Sequence, residues 1–105
     1  MDERISVPDD IKNGLRVGDD ANIQRLLKRI IKFFHKVSRP TFIGPISVDL
    51  GISIRQLQLL IDVLVDNQLI RKAYLDELHN MGLSPDSGSV VYVLTSRAEV
   101  RLAHD

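Results

Sequence analysis

Arg55, Gln56, Gln58 and Leu59 fall within five consecutive residues, and each has a side chain suited to the edge of a base pair. Arginine can donate two parallel N–H groups to guanine, glutamine can bond adenine, and an apolar side chain can meet the thymine methyl. That chemistry requires a helix that presents these residues together. If Ile54 is set at zero and the chain turns about 100° per residue, the apolar face centres near Leu57, Ile61 and Leu64. Arg55, Gln56, Leu59, Asp62, Val63 and Asp66 lie opposite, and Gln58 lies at the border. The same face therefore offers two kinds of contact. Its polar residues suit nucleic acid, and Leu59 with Val63 would suit a protein partner.

A second group of residues suits phosphate. Arg25, Lys28, Arg29, Lys32 and Lys36 recur at spacings of three and four, one stripe of a helix. The alternative for this stripe is a solvated polar face on a buried helix. Arg71 and Lys72 supply two more cations, and Thr41 lies close to a helix start whose N–H groups can bind phosphate. The chain has no net charge, so distribution matters more than total. Residues 1–22 carry six acids and three bases, whereas residues 23–39 carry six bases and no acid. Residues 40–72 balance, and residues 73–105 carry five acids against two bases.

Other chemistry finds little support. His35, His79 and His104 are scattered, and each reads as a surface histidine. No H-x-x-x-H pair, glycine-rich phosphate loop or nucleophile elbow is present. The chain has no cysteine, hence no disulfide frame and no thiolate metal site. The expectation is no enzyme, no metal and no cofactor. No apolar run approaches a membrane span, and acids from Asp2 onward leave no signal-peptide core. A cytoplasmic protein of one small domain fits these features.

The elements that must position these residues follow from spacing and punctuation. Residues 1–18 read as an N-terminal arm with one short strand or turn, too apolar to be a free tail. Asp19 or Asp20 caps a helix to about Val37, where Pro40 disfavours helical geometry at the residue before it. Thr41–Ile43 reads as a very short strand, and Pro45 suits the first turn of a brief helix ending at Leu50. Gly51 accepts a positive φ at the corner, small Ser47 lets two helices touch, and Ser53 caps the next helix to about Asn67. Leu69 to about Leu75 and Ser89–Leu94 read as strands. The stretch between them reads as a loop rich in turn formers. Thr95 or Ser96 caps a last helix to about Ala103.

This order of elements, with Leu69-Ile70 opening one strand and Tyr92-Val93-Leu94-Thr95 closing the next, resembles the winged helix-turn-helix DNA-binding proteins. Regulators of the MarR and PadR type carry both strand motifs, which mark the fold more than any one family, and bacterial, archaeal, plasmid and phage proteins all use that fold. The resemblance covers about residues 20–103. It implies an α+β fold, mainly α, with a three-helix core, a two-stranded wing hairpin and a C-terminal helix. Residues 19–105 would form that domain. It also implies double-stranded DNA as partner, with the third helix in the major groove. A homodimer would be built from the arm, the first helix and the last helix, through Leu15, Val17, Phe33, Val100 and Leu102. Arg55, Gln56, Gln58, Leu59, Thr41, Lys28, Arg71 and Lys72 are the expected DNA contacts. Acidic Asp76, Glu77 and Asp86 imply a wing tip that does not grip phosphate. The rival expectation is an adaptor module that binds a protein through Leu59 and Val63 without nucleic acid.

Overall fold

Pro8 starts a helix where the sequence suggested a short strand or turn. Its fixed φ suits a helix entry, and α1 runs from Asp9 to Gly14. A computed structural model of the chain describes residues 4–37, 40–84 and 90–103. Two residues beside α1 enter the core, Ile5 before it and Leu15 after it. Gln24 holds Ile5 at both backbone groups. It accepts from the Ile5 N–H and donates to the Ile5 carbonyl, each at 2.8 Å. The arm is thus part of the one core. The Cα radius of gyration, 13.7 Å, is close to the roughly 13 Å of a compact 100-residue domain.

Asp19 caps α2 (Asp20–Val37) by accepting the Asn22 N–H at 3.0 Å. Ile23, Leu26, Leu27, Ile30, Ile31 and Phe34 are buried along one broad face. Residues 38 and 39, expected to end this helix, lie outside the described residues. Strand β1 (Thr41–Phe42) follows, then α3 (Gly44–Leu50) with Pro45 in its first turn. Gly51 leaves α3 at φ +67°, and its N–H bonds the Ser47 carbonyl at 3.0 Å. A Cβ there would meet nothing within 4 Å, so the glycine is required by backbone geometry alone. The Ser47 hydroxyl, now buried, donates to the Ile52 carbonyl at 2.6 Å and pins the corner. Ser53 then caps α4 (Ile54–Asp66), accepting the Gln56 N–H at 3.1 Å. Leu57, Ile61 and Leu64 are fully buried, as the spacing requires.

Gln68 turns the chain at φ +61°, and β2 (Ile70–Lys72) begins two residues later. The stretch expected to be a loop contains a helix, α5 (Leu75–Asn80). Its turn-forming Asp76 and Asn80 occupy helix-end turns rather than a loop. Glu77 satisfies an orphan donor by accepting the Tyr74 N–H at 2.7 Å. Both strands are shorter than the sequence suggested. Residues 85–89, including Asp86 of the expected wing and Ser89 of the expected strand, lie outside the described residues.

Strand β3 (Val91–Leu94) is central in a three-stranded antiparallel sheet of order β1-β3-β2. Thr41 and Lys72 both face Tyr92 across the ladder, and Arg71 faces Val93. Thr95 ends the sheet. Its hydroxyl accepts the Ala98 N–H at 3.2 Å and caps α6 (Ser96–Ala103). The described fold is α+β and mostly helical, with six helices and one small sheet. No described helix is long and apolar enough to cross a membrane.

Candidate nucleic-acid interface

The N-terminal end of α4 carries the residues singled out for base contact, but they do not share one environment. Arg55 is exposed and forms no hydrogen bond or ion pair among the described residues. Gln56 points toward the chain's own N-terminal segment. It accepts the Arg16 N–H at 2.6 Å and donates to the Gly14 carbonyl at 3.1 Å. Both ends of its amide are therefore engaged, and it holds the Arg16 backbone. Leu59 is half-buried under Gly14, where an added Cβ would approach its Cδ1 to 3.3 Å.

Val63, expected on the exposed face, is fully buried. The cause is the N-terminal segment, a layer that helix spacing could not reveal. Helix α1 packs against α4, Leu59 lies under Gly14, and Asn67 donates to the Ser6 carbonyl at 2.8 Å, so the segment runs along this face. Leu59 and Val63 therefore form no exposed apolar face, and an adaptor surface built on that pair has no place in this structure. Leu15 is likewise core, not a dimer contact.

Gln58 connects helix and sheet. Its amide donates to Asp62 at 3.1 Å and, more weakly, to the Tyr92 hydroxyl at 3.4 Å. Tyr92 is the cross-strand partner of both Thr41 and Lys72. One seam thus places Gln58, Tyr92, Thr41 and Lys72 together. Thr41 is itself buried in that row. Lys72 is exposed and forms no ion pair among the described residues.

Arg71 is engaged elsewhere. Its guanidinium meets Glu77 in a fork, at 2.7 and 3.2 Å, and lies over the Tyr74 ring at 3.9 Å. The hydrogen bond from Arg71, then that from the Tyr74 N–H, holds the Glu77 carboxyl below the usual glutamate range. The charge of Arg71 is offset in place, so it is a structural cation at the start of α5. Lys28 stands on the exposed face of α2 with no ion pair among the described residues.

Arg16 escaped the sequence reading, because nothing near it marks a helix face. It lines one recess of about 660 Å³ with Ile54, Arg55, Gln56, Gln58 and Leu59. Its guanidinium donates to the Asn13 and Leu15 carbonyls and meets no described carboxylate. Two guanidiniums without carboxylate partners therefore border the N-terminal end of α4, where helix N–H groups also favour anions. Among the described residues, no group of histidine, aspartate and glutamate is placed to hold a metal ion. No family model, no curated protein and no solved structure matches this chain.

Proposed function

We propose that the chain is a winged helix-turn-helix protein that binds double-stranded DNA and acts as a small transcriptional regulator or a plasmid- or phage-type site-binding protein. The observation that carries this reading is the pair Arg16 and Arg55 at the N-terminal end of α4, just past a glycine corner between two helices. A recognition helix uses its N-terminal residues on base edges. In this reading Arg55 faces bases, Gln58 gives up its bonds to Asp62 and Tyr92 to join it, Arg16 and Lys72 meet phosphates beside them, and Lys28 adds distant phosphate attraction. Gln56 acts through Arg16, as a positioning residue. Asp62 and Asp66, exposed farther along α4, set the limit of approach by repelling phosphate.

The protein would act as a homodimer, the commonest assembly, placing two recognition helices about one DNA turn apart. Val100, 59% exposed on α6, is the most exposed of the apolar residues expected at a dimer seam. Mobility shift on fragments of the source genome at low salt tests the binding, and sedimentation of the free and bound protein tests the assembly. Shifted complexes that weaken steeply with salt, with two chains per complex, are the expected result. Folded protein that shifts no fragment at low salt would remove this function. A single chain per complex would remove the dimer.

A further inference from the structure

Along the flank of α2, beside its buried face, two shallow recesses of about 550 and 520 Å³ meet at Phe33 and Val37. The apolar floor continues to Phe42 on β1 and Met81 after α5, each 37% exposed. Lys32 and Lys36 stand along one edge. They are one helical turn apart, about 6 Å along the axis. Neither forms an ion pair among the described residues. Arg29 stands on the same edge and is only loosely met by Asp49, at 3.6 Å with both side chains about half exposed. Among the described residues that line the groove, the cations therefore outnumber the carboxylate.

We propose that this groove docks an acidic peptide segment of another protein, one that carries apolar side chains beside its carboxylates. Exposed apolar surface with a polar rim marks an interaction site. Charge complementarity then selects among occupants. A nucleic-acid backbone would satisfy Lys32 and Lys36 but leave Phe42 and Met81 wet. A neutral apolar segment would cover the floor and leave the lysines without counter-charge. A segment with two carboxylates about one turn apart and a leucine or aromatic residue between the groups meets both demands. The docking face is separate from Arg16 and Arg55, so it does not depend on DNA binding.

The test is panning of a displayed library of short random peptides against the full chain. An enriched peptide is then titrated into labelled protein and followed by amide chemical shifts. Enriched peptides should pair Asp or Glu with Leu, Phe or Trp. Shifts should fall on residues 29–37, 42 and 81. K32E/K36E should keep its melting temperature and bind about tenfold or more weakly, as expected when rim charges are reversed. It should also recover binding to the same peptide with its acids replaced by lysine. Phe42→Ser, on the sheet edge, should weaken binding without charge reversal. No enrichment, enrichment of neutral or basic peptides, or unchanged affinity in both variants would overturn the proposal. So would a duplex oligonucleotide that shifts these same amides in place of the peptide. A dimer that K32E/K36E dissolves would assign the groove to a second copy instead.

Discussion

Arg55 and Lys28 are both exposed cations on helices, yet the proposed geometry gives them different tasks. Arg55→Ala should leave stability nearly unchanged, since an exposed helix position accepts alanine. If Arg55 reads a base, specific binding should weaken by about 1–3 kcal/mol and random DNA less. Lys28→Ala should weaken all sequences alike and lower the salt slope by about one. Equal losses on specific and random DNA for Arg55→Ala would make it a phosphate contact. Glu77 carries a separate prediction. Its carboxyl titrates below the usual range in the fold, so its contribution is present above the unfolded value of about 4.3 and fades as pH falls through the lower folded value. Glu77→Gln should cost about 0.5–1.5 kcal/mol at neutral pH, the scale of a partly exposed forked ion pair. The deficit should shrink in acid, and denaturant midpoints across pH measure it. Arg55 was legible because period alone places it. The task of Gln56 was not, because its partners lie forty residues away in sequence.

Among the elements, the corner between α3 and α4 was fully marked by residue type. Ser47, Gly51 and Ser53 each perform the task their chemistry suggests, with caps at the expected positions. The core face of α4 was equally legible. Leu57→Ala should cost on the order of 2–5 kcal/mol, a large share of the stability of a small domain. An unchanged melting temperature would contradict the burial of this face. Helix α5 was not legible, because Asp, Asn and Gly residues look like turn punctuation whether or not a short helix joins them. The one local signal was Glu77, three residues after Tyr74, reaching back to a backbone donor. The opposite face of α4 was misread for another reason. Helical period separates a buried stripe from the rest, but it does not report that a second layer covers the rest. Val63 looked exposed because the segment that buries it is remote and irregular.

For the whole molecule, that second layer is the main departure from a three-helix core. Residues 4–18 close one side of α4 with Ile5 and Leu15, and Gln24, Gln56 and Asn67 fasten their backbone. Removal of residues 1–17 should therefore lower the melting temperature and raise binding of an apolar dye, since Leu59 and Val63 become wet. It should also weaken DNA binding, because Arg16 is lost with the segment. Truncated protein with full stability would show that the segment is merely laid on the surface. The bases of residues 23–39 are legible as a charge block, and those described on α2 do not share one environment. Lys28 stands exposed on α2, and Lys32 with Lys36 edge an apolar groove.

The seam at Tyr92 also has an optical consequence. The chain has two tyrosines and no tryptophan. Tyr92 is buried between α4 and the sheet, while Tyr74 is exposed beneath Arg71. Intrinsic emission thus comes from two distinct places without any label. Acrylamide should quench two populations in the native protein, one readily and one hardly at all, and a single population after unfolding. Tyr92→Phe should remove the protected one. Any ligand that rearranges the contact between α4 and the sheet would then announce itself in the light of a single residue.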